Sequence, residues 1–211
     1  MSDEPEPVYV CEARDFSGFP THDAVIWRGL PRMELLQAVT GAKARLSTTV
    51  EAFWSAESLC FRFTCEDDHV VATMLHHDDP IYEEDVVEVF LSETGSLREY
   101  KEFEVSPTNV RFDAVIQNDL QGSVQIDLDW DALGWRTEVT GRGRRLDWTC
   151  VWEIPFVNFS CGTPAPGDQW RMNCYRIDRN ARHGNELLAW SPTRVRNFHV
   201  PERFGSLRFD A

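Results

Sequence analysis

Hydrophobic and polar residues alternate with a period of two along most of this chain. Leu59, Phe61, Phe63 and Cys65 interleave with Cys60, Arg62, Thr64 and Glu66, the pattern of a strand with one face buried. Leu46, Val50, Ala52 and Trp54 share one parity just before it, and Ser55-Ala56-Glu57-Ser58 supplies the turn, so the two segments predict a hairpin. Further strands are predicted at 86–91, 100–106 and 110–116, with Pro107-Thr108-Asn109 as the turn between the last two. Four more fall at 135–140, 148–154, 169–178 and 206–209, and a Gly/Pro cluster at 162–167 separates two of them. The one helical pattern, 33–39, is too short to carry weight. Strands at regular spacing without intervening helices predict an all-β fold, an antiparallel β-sandwich of jelly-roll-like form. Phe61, Phe63, Val87, Val89, Phe103 and Val105 are expected to face its core. Residues 1–7 read as a flexible tail and 8–211 as a single domain, since no repeat or low-complexity linker interrupts them.

Composition narrows the function. The net charge is −14, and no Lys/Arg stripe offsets it, which argues against a nucleic-acid partner. The basic runs at 142–145 and 194–196 read as exposed loop charge. No apolar run approaches the length of a membrane-spanning helix. The acidic, polar start is unlike a secretory leader and places the chain in the cytoplasm, or outside the cell if the sequence is a trimmed piece. The six cysteines have no C-x-x-C pair or zinc spacing and are expected as reduced, mostly buried thiols. Eight Trp and thirteen Phe exceed what a plain core requires, so some of these rings are free to line a site.

Three segments do not read as generic strand. Asp79 to Leu91 runs from acidic residues into a strand in which Glu88 alternates with Val87 and Val89. In Trp170 to Arg176, Arg176 shares the parity of Trp170, Met172 and Cys174, and an Arg on an apolar face needs a carboxylate or carbonyl partner. The third is Trp190-Ser191-Pro192, followed by Phe198 to Gly205. A metal reading of His76-His77-Asp78-Asp79 is disfavoured, because adjacent residues on a strand point to opposite faces. A haem reading with Met74 lacks a second axial ligand.

Taken in order, these segments resemble the family 9 carbohydrate-binding modules. The likeness rests on Asp85 to Phe90, Tyr100 to Val105, Trp152 to Phe156, Trp170 to Arg176, Trp190 to Pro192 and Phe198 to Gly205, and spans roughly 45–209. It implies a sugar held between two aromatic rings, with polar side chains on its hydroxyls. By motif position Trp190 and Tyr82 would form the clamp, Tyr82 standing where the family has Trp. Glu88 would accept from a hydroxyl, with Arg176, Asn173, Glu102 and Glu104 as further candidates. The family also allows structural calcium, whose ligands the resemblance does not place here, and a mono- or oligosaccharide as partner.

The expected function is therefore non-catalytic carbohydrate binding, associated with glycoside hydrolases and polysaccharide catabolism. Two alternatives stand beside it: a glycoside hydrolase using paired carboxylates in the same cleft, and an interaction module that has lost sugar binding. His199 is expected as a structural hydrogen-bonding residue, not a base.

Overall fold

The computed structural model describes residues 5–141 and 146–211. Its strands are β1 (Val8–Ala13), β2 (Met33–Glu34), β3 (Leu36–Gln37), β4 (Thr48–Trp54), β5 (Ser58–Cys65), β6 (Val86–Ser92) and β7 (Glu99–Val105), then β8 (Arg111–Asn118), β9 (Val124–Asp127), β10 (Arg136–Gly141), β11 (Trp148–Pro155), β12 (Gln169–Asp178), β13 (Glu186–Ala189) and β14 (Gly205–Asp210). Short 3-10 turns are the helical content of the described residues, and none of their helices is long and apolar enough to cross a membrane. The segment expected as a weak helix at 33–39 is instead β2 and β3, which pair with β4 and β13. Leu35 and Ala38 there are buried against the sheet, so tertiary packing overrides the local pattern.

The strands join in the order β10-β11-β5-β4-β1-β14-β12-β6-β7-β8-β9. This path curls over itself into a β-sandwich, with β4, β5, β10 and β11 on one side and β6, β7, β8 and β12 on the other. Pairing is antiparallel except at β1, which runs parallel to both β14 and β4 and stitches the two sides together. The alternation reading did not include β1, β9 or β13. The 4–5 hairpin closes as expected, with Ser55 N–H donating to Ser58 C=O at 2.9 Å. In the turn after β7, Asn109 takes a left-handed φ of 64°.

All six residues expected in the core are buried there, among inward side chains of both sides. Aromatic rings cross the seam: Phe103 meets Trp135 edge-on at 5.3 Å, and Trp135 meets Trp152 at 5.6 Å. Glu6 of the expected tail accepts from Ser206 Oγ at 2.6 Å, and Pro7 C=O accepts from Ser206 N–H at 2.9 Å. Residues 1–4 of that tail and the basic run 142–145 lie outside the described residues.

Cys11, Cys60, Cys65, Cys150 and Cys174 are buried free thiols, and Cys161 is an exposed one. Burial pushes Cys60 and Cys65 up to about 12, which leaves almost no thiolate at neutral pH. The folded protein should therefore react with a thiol reagent at Cys161 alone. Unfolded protein should label at all six positions with or without prior reduction, and a lower count without reductant would reveal a disulfide.

Candidate functional site

Strands β6, β7 and β12 are buried on both faces. Inward residues Val87, Val89, Phe103, Met172 and Cys174 belong to the sandwich core. Their neighbours Val86, Phe90, Tyr100, Tyr175 and Ile177 form a second apolar layer on the opposite face. Phe198 and Phe204, from the segment before β14, cover that layer. Phe198 stacks on Tyr175 with centroids 4.2 Å apart, and the Tyr175 hydroxyl donates to Phe198 C=O at 3.0 Å.

The same parity that places Phe90 and Tyr100 on this face also places Glu88, Glu102 and Glu104 there. Glu88 stands opposite Glu104 in the β6–β7 register, and Phe90 opposite Glu102. The three carboxylates are 2%, 4% and 0% exposed, and each offers an oxygen within 4.8 Å of the other two. They form the floor of a cleft of about 400 Å³. Its walls include Tyr82, Phe112, Phe198 and His199, with Arg179, Arg196 and Asn197 among its polar residues. That volume lies within the usual range for small-molecule sites.

The acidic lead-in to β6 turns out to hold the cleft wall. Asp85 accepts from Val71 N–H at 2.6 Å and from Arg179 N–H at 2.5 Å. Glu84 accepts from the Thr73 amide and hydroxyl at 2.5 and 2.6 Å. Between these clasps, buried Ile81 anchors the 3-10 turn Ile81–Glu83. Tyr82 is left 40% exposed, edge-on to Phe112 at 5.6 Å.

The floor is electrostatically unusual. Glu88 Oε1, Glu102 Oε2 and both Glu104 oxygens accept no hydrogen bond from any described residue outside the cluster, while Glu102 and Glu104 hydrogen-bond to each other when Glu104 holds a proton. Burial raises all three carboxyls: Glu102 is pushed up to about 7 against a hydrogen bond with Glu104 that lowers it, and Glu88 and Glu104 stand well above the usual carboxylate range, burial first and neighbouring carboxylates second. The Arg179 guanidinium opposes this at Glu88 only in part. His199 is held neutral in the other direction, lowered to about 4 by burial, with Nδ1 2.9 Å from the Tyr100 hydroxyl. It is the structural residue expected.

Tyr82, Glu88, Glu102 and Glu104 are thus brought together; the other candidates are not. Trp190 does not face Tyr82. It lines a separate recess with Pro5, Pro7, Leu36 and Pro192, and its ring edge lies against Gly205, where an added Cβ would sit 2.6 Å from it. Arg176 projects from the opposite face of β12 into the core, as its parity with Met172 requires. There it pairs with Asp67 at 2.9 Å, donates to Thr48 Oγ1 and Glu66 C=O, and lies over the Trp148 ring. Asn173 is fully buried and joins the Ser191 backbone to the Tyr175 hydroxyl, so it positions the loop behind Phe198 without reaching the cleft. Phe198, Phe112 and Arg179 were missed as cleft residues. Only the Phe198-His199 motif carried a signal for one of them.

Two other acidic clusters already have partners. Asp67, Asp85 and Asp178 share Arg176, Arg45 and backbone amides. His77, which alternation disfavoured as a ligand, meets Asp113 at 2.8 Å with Asp78 beside it, and Asp113 also accepts from Ala132 N–H at 2.5 Å.

Residues 21–210 match the family described as carbohydrate family 9 binding domain-like. The chain belongs to this family. An "Extracellular protein" of Arthroderma benhamiae is 26% identical over 209 residues, covering 89% of this chain and 91% of the relative. Among solved structures, one from Bacteroides uniformis superposes with a TM-score of 0.78 at 17% identity, over 98% of this chain and all of the other. A family 9 module from Caldicellulosiruptor kristjanssonii in complex with cellotriose gives 0.71 at 13% identity, over 97% and 94% of the two chains. In complex with glucose it gives 0.67 at 14% identity, over 95% of each chain.

A proton held more tightly by the folded than by the unfolded chain stabilises the fold fully below the unfolded value of about 4.3. For Glu102 that contribution is lost as pH rises through about 7. Glu102→Gln removes the dependence. Variant and wild type should be equally stable near pH 4.5, and by pH 8 the variant should be ahead by about 2–3 kcal/mol. Urea unfolding at both values measures this, and a difference independent of pH would show that Glu102 ionises freely.

Proposed function

We propose that this chain is a non-catalytic carbohydrate-binding module whose ligand sits in the cleft above Glu88, Glu102 and Glu104. The observation that carries the reading is the meeting, in one cavity, of an exposed aromatic ring with buried carboxyl groups that no described residue outside the cluster satisfies. A sugar ring presents C–H groups that pack on an aromatic face, and hydroxyls that donate to carboxylates. Tyr82 offers the face, Phe198 the second apolar wall, and the three glutamates the acceptors. Family membership supports the same reading, as do the cellotriose and glucose complexes of the Caldicellulosiruptor module.

The hydrolase alternative fares worse on geometry. Glycoside hydrolysis uses two carboxyl groups that flank the scissile bond, about 5–10 Å apart. Here all three project from one sheet face and crowd together, one oxygen of each within 4.8 Å of the others, where a flanking pair would stand on either side of the bond. The setting we favour is extracellular, following the name of the fungal relative, and it replaces the cytoplasmic one expected from the polar N-terminus. Burial of five thiols is compatible with that, since buried thiols resist oxidation.

Titration calorimetry with glucose and cellotriose should detect binding. Tyr82→Ala should weaken it by about 1–2 kcal/mol, roughly tenfold, because a stacked ring face is lost. Trp190→Ala should leave the affinity within twofold. The reverse ranking of the two variants would move the site to the recess beside Gly205.

A further inference from the structure

The floor of the cleft gathers more carboxyl groups than a neutral sugar calls for. Glu88, Glu102 and Glu104 are each more than nine-tenths buried, and four of their six oxygens accept no hydrogen bond from any described residue outside the cluster. The other two acidic clusters are met by guanidinium groups, a histidine or backbone amides. Two arginines line the cleft: Arg179, which lowers Glu88 in part and donates to Tyr82 C=O at 3.1 Å, and Arg196. A buried carboxyl without a donor escapes the cost of ionising by keeping its proton, and a ligand that supplies both positive charge and donors lets it ionise, so such a ligand is favoured at this place.

The number of oxygens and their apolar surroundings indicate which kind of cation. A primary ammonium directs three N–H bonds into one hemisphere, and acceptors about 2.8 Å from its nitrogen lie about 4.6 Å apart. One oxygen from each of the three glutamates lies within 4.8 Å of the other two on one sheet face, close enough for a single ammonium to reach all three. The fourth bond of the nitrogen then leads out of the floor into the cleft, where Tyr82 offers a ring face to the carbon it carries. A divalent metal ion is a poorer match. Calcium takes six to eight oxygens, and the walls beside the floor at Phe90, Phe112, Ile177 and Phe198 are apolar side chains without ligand atoms. A hydroxyl of a neutral sugar brings one donor and no charge.

We infer that the cleft selects an amino sugar, its free ammonium seated on Glu88, Glu102 and Glu104. This rests on the carbohydrate reading above and adds the class of sugar.

The test is calorimetry with glucosamine, glucose and N-acetylglucosamine on chelator-treated protein, at a pH where the free amine is protonated. Glucosamine should bind at least tenfold more tightly than either of the others, since acetylation removes the charge and two donors while keeping the ring. Glu104→Gln and, separately, Glu88→Gln should each narrow the glucosamine-to-glucose ratio severalfold, with thermal unfolding confirming that the variants fold. Equal affinity for glucosamine and glucose would overturn the amino-sugar assignment and leave the carbohydrate reading standing. A preference that survives in both variants would place the charge recognition elsewhere and overturn it too. Glucose binding that appears only on adding calcium would overturn it in favour of a metal-bridged sugar. Failure of all three sugars and of cellotriose to bind would overturn both readings together.

Discussion

Everything distinctive about this molecule follows from burying both faces of β6, β7 and β12. A strand in a half-exposed sheet can send its polar residues to water. Here the segment carrying Phe198 and Phe204 lies over the outward face, so outward positions are as dry as inward ones. Most of them are met with rings: Phe90, Tyr100 and Tyr175 pack under that cover. Glu88, Glu102 and Glu104 fall on the same parity at its edge and have no escape to solvent. The sheet thus supplies rigid, desolvated acceptors, which is what a binding floor needs and what a stable core avoids.

The same alternation disposes of Arg176 in the opposite sense. It sits on β12, adjacent in sequence to Tyr175, yet one residue of strand carries it through the sheet into the sandwich core. Its guanidinium answers Asp67 and two further oxygens from the opposite side, so its charge is spent on joining the two halves. Neighbouring residues of one strand therefore do unrelated work, one closing the sandwich and the other supporting the cleft wall through its contact with Phe198.

Much of the fold was legible because period-two alternation is enforced by burial. The strands from β4 to β8 and from β10 to β12, and the six core residues, follow from it. Short strands such as β2, β3 and β13 lack the length to show a period, and β1 pairs in parallel with distant segments that local pattern cannot name. In the site, the resemblance named Glu88 and, beside it, Glu102 and Glu104, and the β6–β7 register puts them on one face. Trp190 was expected beside Tyr82, and the two line separate recesses, since which loop reaches which end of a sandwich is a property of topology. Trp190 leaves β13 toward Gly205, whereas Phe198, eight residues further on, returns over the sheet. The acidic lead-in was correctly marked as special, but its role is structural: Glu84 and Asp85 clasp the loop that presents Tyr82.

The central claim is that ligands enter over the three glutamates and not at the Trp190 recess. Amide chemical-shift mapping with cellotriose distinguishes the two directly. The largest shifts should cluster at Tyr82, Glu88, Glu102, Glu104 and Phe198, with Gly41, Trp190 and Glu202 unmoved. Shifts concentrated at Gly41, Trp190 and Glu202 would contradict it.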